Sequence, residues 1–217
     1  MYIADAAAIA EDLVGDLHPR WEHVQSVGQR AEQLAGTHGL AHRVVVAAWL
    51  HDIGYGDQAL STGFHPLDGA HYLRGIGVEE TIVSLVAWHT GAVQEARSRG
   101  LLTQLSAIAE PDQDDLDALT LIDLTTSPTG TPVRPGDRID EILTRYEPGH
   151  PVHDAVTRSR PGLLAGCARA TTRLGLPAQW PAGEATGAPA HAQGGMSRRV
   201  IRGWRPHAGE VLCGSRR

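Results

Sequence analysis

The side chains of this chain best suited to chemistry are imidazoles and carboxylates, and they recur on faces that should be buried. His23 precedes Val27 by four residues and Leu34 by eleven, so it shares their side of a helix. His51 and Asp52 close the apolar run "AAWLHD". His65 opens a short helix after a loop, and His89 lies three residues past Val86 and seven past Ile82. Asp123 follows Leu119 by four residues and Leu116 by seven. Burying such groups unpaired is costly, and the chain has no lysine to pair with the acids. Any one of these histidines alone reads as a satisfied core residue. Together, at helix ends and on core-facing stripes, they point to a shared bound cation that compensates all of them.

The elements that must position them read as helices. "MYIADAAAIAEDLVGDL" is amphipathic, and Val24, Val27, Ala31 and Leu34 form a stripe from Trp21 to His38 before Gly39 punctuates it. Residues 41–51 are nearly all apolar, which predicts a central helix. "GYGDQALSTGF" is a loop, and "HPLDGAHYLRGIG" a short helix with Pro66 in its first turn, where a missing N–H is harmless. "VEETIVSLVAWHT" is a further helix, with Trp49 and Trp88 packing as core beside the candidate ligands. "PDQDDLDALTLIDLTTSP" opens with acids favoured by the helix dipole and stops at Pro128; Asp112, Asp114, Asp115 and Asp117 read as its solvated start. "RIDEILTRYE" and "VHDAVTRSRPGLLAGCARATTRLGL" complete the set, with a break or kink expected at Pro161. No strand-like alternation of useful length occurs, so the fold class is all-α. The expected organisation is a helical body over 1–176 and a disordered Pro/Gly/Arg-rich tail over 177–217, in which Trp180 and Trp204 have no assigned role.

Composition narrows the function classes. A chain of 217 residues buries about 70% of its unfolded surface and needs no disulfides. Its two cysteines, Cys167 and Cys213, suggest no disulfide framework, and the expected location is the cytoplasm. No segment reaches the roughly 20 apolar residues of a membrane helix, and the acidic N-terminus is unlike a secretory signal. Residues 181–217 carry six Arg and two acids, a net of +4, which leaves −10 on the remainder of a chain whose total is −6. That acidity argues against nucleic acid as a partner and for cation binding. The scattered glycines form no phosphate-binding loop.

The order His23, His51-Asp52, Asp123 resembles the signature of the HD-domain metal-dependent phosphohydrolase superfamily, across roughly residues 18–150 and through "HDIG", "HPLDGAHYLR" and "RYEPGH". The resemblance implies an all-helical bundle whose His and Asp side chains hold one or two divalent ions. The extra pair His65 and His89 is similar to the binuclear subgroup. By that likeness His23, His51 and Asp123 hold one metal, His65 and His89 the other, and Asp52 bridges both as the central catalytic group. Imidazole with carboxylate suits Fe, Mn, Zn, Co or Ni, with iron or manganese expected.

The implied reaction is hydrolysis of a small phosphorylated molecule, a nucleotide by class, through a metal-activated bridging hydroxide. Two departures bear on the subgroup. Tyr55 follows "HDIG" where several subgroups, the cyclic-di-nucleotide hydrolases among them, have lysine, and the latter's long GYP-type motif is absent. Arg, His or Tyr must then grip phosphate. Asp68 is a candidate to orient neighbouring groups or handle a proton, His71 to contact substrate, and Arg145 to hold phosphate or pair with Glu141. Two rivals use the same family pattern: a mixed-valent di-iron oxygenase, which shares the six ligands, and a non-catalytic module that keeps metal for structure. The sequence leaves oligomeric state open.

Overall fold

A computed structural model of the protein describes residues 1–181, and among these every regular element is helical. The order is α1 (Ile3–Val14), α2 (Arg20–His38), α3 (His42–Leu50), a 3-10 turn (Ile53–Tyr55), α4 (His65–Gly75), α5 (Glu80–Trp88), α6 (Ala92–Arg99), α7 (Leu102–Leu105), α8 (Gln113–Leu124), α9 (Pro135–Arg145) and α10 (Pro151–Arg173). The only strand-like feature among the described residues is an isolated bridge between Thr126 and Pro132.

α3 is the central element. Every residue from Val44 to Leu50 is buried, and α1, α2, α5 and α8 pack around it. Its neighbours present the stripes that their periodicity predicts: Val24, Val27, Ala31 and Leu34 on α2, and Ile82, Leu85 and Val86 on α5, all buried. α2 ends at Gly39, whose φ of 69° allows a left-handed cap in which its N–H reaches the Leu34 carbonyl. None of the described helices is long and apolar enough to cross a membrane.

The glycine of "HDIG" positions the next ligand candidate, His65. A Cβ at Gly54 would lie 1.9 Å from the His65 carbonyl oxygen and 2.6 Å from the Gly69 nitrogen. Only a bare backbone lets the 3-10 turn seat against the first turns of α4, and that contact brings His65 back beside Asp52.

Four sequence expectations need correction. α10 runs without a break through Pro161, because its buried Ala155, Gly166, Cys167 and Ala170 pack against the body, while Thr157 and Ser159 hydroxyls donate to carbonyls one turn back. The acid run at the start of α8 is solvated only in part. Asp112 caps the helix, but Asp115 and Asp117 are buried and paired with Arg43 of α3 and Arg169 of α10. α8 ends at Leu124, four residues short of Pro128. Trp180, assigned to the tail, is buried in the core over Arg30, which itself donates to the Thr125 carbonyl at 2.6 Å. The rest of the expected tail, Trp204 and Cys213 included, lies outside the described residues. α6 and α7 were not anticipated, since α6 buries only Ala92 and Ala96 and leaves no apolar stripe to read.

Candidate metal centre

Five segments deliver six ligand-competent side chains to one place. His23 projects from the first turn of α2, and His51 and Asp52 follow the last turn of α3. His65 starts α4, His89 comes one residue after α5, and Asp123 sits in the last turn of α8. His23, His51, Asp52, His89 and Asp123 are buried, and His65 is half-buried.

Backbone carbonyls fix the imidazole tautomers. A carbonyl can only accept, so the Nδ1–H of His23 donates to Ser127 (3.1 Å), that of His51 to Ala48 (2.9 Å) and that of His89 to Val86 (2.6 Å). Each neutral ring is left with a bare Nε2. The Nε2 atoms of His23 and His51 then face each other at 3.3 Å, and Asp123 Oδ1 lies 3.1 Å from the first and 4.0 Å from the second. Three acceptors at this range repel unless positive charge sits among them. The second half repeats the pattern: His65 Nε2 is 3.2 Å from His89 Nε2, and Asp52 Oδ1 is 3.4 Å from His65 and 3.8 Å from His89. Asp52 Oδ2 turns the other way, 3.6 Å from His51.

Two groups result, His23/His51/Asp52 and Asp52/His65/His89, each with its donor atoms within 4.8 Å of one another. They share the Asp52 carboxylate. Four imidazole nitrogens and two carboxylates, with orienting partners behind the rings, are a donor set that fits one or two divalent transition-metal ions.

The electrostatics agree with that chemistry. Burial would raise the Asp52 carboxyl, but the Arg20 guanidinium and the imidazoles of His51, His65 and His23 hold it well below the usual carboxylate range. Asp123 is likewise held low against burial, by the adjacent imidazoles of His23 and His51. Burial pushes the His65 and His89 imidazoles below their ordinary value, Asp52 opposing, so both stay neutral and able to ligate.

Several participants were not anticipated. Arg20, three residues before His23, donates to Asp52 Oδ2 and lies 3.5 Å above the Tyr55 ring, which stacks on His65 at 4.1 Å. Thr90 donates its hydroxyl to Asp123 Oδ2 from a backbone with φ of 33°, an unusual conformation for a β-branched residue. The Ser127 carbonyl orients His23 from the turn after α8. Only Arg20 left a trace in the sequence, as a charged residue one helical turn from a ligand candidate.

The remaining candidates have other surroundings. Asp68 is fully buried, and its Oδ1 accepts from Ser61 Oγ (2.8 Å), Thr62 N (2.7 Å) and Thr62 Oγ1 (2.7 Å), its Oδ2 from Gly63 N (3.0 Å). Arg145 Nε lies 2.9 Å from Glu141, and His71 is exposed. Trp49 and Trp88 are buried, each in the residue pair or single residue before a ligand.

Comparison with known proteins gives one family: the model described as "HD domain" matches residues 20–123, a span that holds all six ligand-competent residues. No curated protein and no solved structure matches the chain.

Proposed function

We propose that the chain, whose residues 20–123 match the HD-domain family, is a metal-dependent phosphohydrolase that hydrolyses a phosphoester of a small molecule, a nucleotide by class, at a two-cation centre. The observation that carries this reading is the Asp52 carboxylate, which belongs to both groups of donor atoms. We assign His23, His51 and Asp123 to one cation, His65 and His89 to the other, and Asp52 to both, with iron or manganese as the expected metals. When bound, such a pair of cations supplies hydroxide from water near neutral pH and offsets charge on the phosphoryl group.

The chain's own residues hold that chemistry in place. Asp52 keeps the two halves in register, and the carbonyls of Ala48, Val86 and Ser127 keep the imidazoles in the ligating tautomer. Arg20 takes the part of the missing lysine: its guanidinium stands beside Asp52 and over Tyr55, placed to grip phosphoryl oxygens as they gain charge. Asp68 is a positioning residue, because its four bonds tie down Ser61–Gly63 immediately before His65. The activity is placed in the cytoplasm, in keeping with a sequence that has two cysteines, of which Cys167 is free and buried.

Elemental analysis of the purified protein, paired with phosphate release across a nucleotide panel, tests the reading. Bound divalent metal and release from at least one nucleotide are expected. A metal-free protein, or an iron protein that consumes dioxygen and releases no phosphate, would overturn it.

A further inference from the structure

Of the four imidazoles at the metal centre, His65 is held differently. His23, His51 and His89 each donate Nδ1–H to a backbone carbonyl, whereas His65 Nδ1 meets no hydrogen-bond partner among the described residues. Its side chain is also the most exposed of the four, at 16% against 1–5% for the others. An aromatic ring takes the place of the carbonyl: Tyr55 stacks on His65 with centroids 4.1 Å apart and planes inclined by 19°. The Arg20 guanidinium carbon lies 3.5 Å from the centroid of the same phenol ring. Two planar groups that close to one ring cannot share a face without overlapping, so Tyr55 is sandwiched between guanidinium and imidazole. The sandwich is arranged locally. Side chains three residues apart eclipse in a 3-10 turn, and the Tyr55 N–H donates to the Asp52 carbonyl at 3.1 Å, so the ring rises on the side of Asp52. The same turn fixes the main chain of His65 through Gly54 and its ring through Tyr55. Arg20 closes the stack by donating to Asp52 Oδ2. Tyr55 is 41% exposed and its hydroxyl meets no hydrogen-bond partner among the described residues, so what it offers the site is its two ring faces.

We propose that Tyr55 is a positioning residue whose two faces serve two partners: it orients the His65 imidazole toward the second cation and holds the Arg20 guanidinium toward the phosphoryl group of the substrate. The stack restricts the His65 ring as carbonyls restrict the other three, and partners that orient a ligand tune metal affinity. Arginine gives up rotamer freedom when it binds an anion, and a guanidinium already flat against an aromatic face has less to lose. The Arg20 half rests on the phosphohydrolase reading; the His65 half rests on the metal centre alone.

The test is calorimetric titration of the full-length protein with manganese(II), then of the manganese-loaded protein with inorganic phosphate. His89→Ala marks which manganese step belongs to the second ion. Tyr55→Leu should weaken that step about tenfold and the other by less than about twofold. With manganese at saturation it should also weaken phosphate binding about fivefold, the value of one cation–π contact. Tyr55→Phe keeps both ring faces and should hold both affinities within about twofold of the unaltered protein. With Arg20→Gln already present, Tyr55→Leu should still weaken the second ion but no longer change phosphate binding, a non-additivity that general loosening of the fold does not produce. Equal loss of both ions in Tyr55→Leu, or a Tyr55→Phe protein as impaired as Tyr55→Leu, would overturn the proposal. A weakened second ion with phosphate binding indifferent to both Arg20→Gln and Tyr55→Leu would keep the His65 half and overturn the Arg20 half. If the second ion weakens as expected in a protein that hydrolyses none of a phosphoester panel, the phosphohydrolase reading falls and the His65 half stands.

Discussion

Replacing Asp52 by Ala should empty the metal centre, whereas replacing His89 should remove one ion and spare the other. His89 supplies a donor to the Asp52/His65/His89 group and none to His23/His51/Asp52. Losing a residue that merely orients a ligand lowers metal affinity by about 10–100-fold, or about 1.4–2.7 kcal/mol. Loss of the ligand itself should cost at least the upper figure, so His89→Ala releases the second ion at metal concentrations that keep the first. Asp52→Ala takes a donor from both groups at once, and both ions bear that penalty. It also strips Arg20 of its carboxylate where the two side chains are only 19% and 5% exposed. Breaking a buried pair costs about 3–5 kcal/mol, and the partial exposure of Arg20 favours the lower end. The assay is elemental analysis after dialysis against buffered metal, with circular dichroism melts to confirm folding. The expected order is full occupancy, about half for His89→Ala and close to none for Asp52→Ala. Equal metal content in the two folded variants would refute a shared Asp52 ligand.

Other perturbations probe the supports. Thr90→Val removes the hydroxyl that holds Asp123 Oδ2 and should weaken metal binding by about 10–100-fold while Thr90→Ser retains it, as read by calorimetric metal titration. Gly54→Ala drives a methyl group into the His65 carbonyl and should destabilise the protein by about 1–3 kcal/mol in urea unfolding, with lower metal content. Trp180→Ala should cost about 3–5 kcal/mol in the same measurement, since that ring is core and not tail. In metal-free protein the folded pKa values of His65 and His89 lie below the unfolded one. The unfolded chain then binds more protons below about pH 6.5, so this contribution to stability is present above that pH and lost as pH falls. Melting temperature should accordingly drop between about pH 7 and pH 5; an unchanged value would contradict burial of neutral imidazoles.

The all-helical body and the six ligand candidates were legible in the sequence because both are written in local periodicity. A residue that recurs with Val24 and Val27 or with Ile82 and Val86 must share their buried side, whatever the rest of the chain does. His23 and His89 follow that rule, and the three-dimensional arrangement brings them to His51 and Asp52. Asp115 and Asp117 show where the rule stops. Their acid-rich setting is that of a solvated helix start, yet each is buried by an arginine 72 or 52 residues away. Trp180 is similar: a Pro/Gly-rich setting conceals an indole that packs over Arg30.

What tertiary packing alone decided is how atoms meet. Periodicity says that His23 and His51 face inward, but not that their Nε2 atoms confront each other at 3.3 Å, nor that the two oxygens of Asp52 divide between two groups. It does not reveal that Thr90 and the Ser127 carbonyl stand behind Asp123 and His23, or that Arg20 donates to Asp52. Such facts depend on how helices far apart in the chain settle against α3. Those positions are fixed by close packing summed over many side chains, which no single stretch of residues contains.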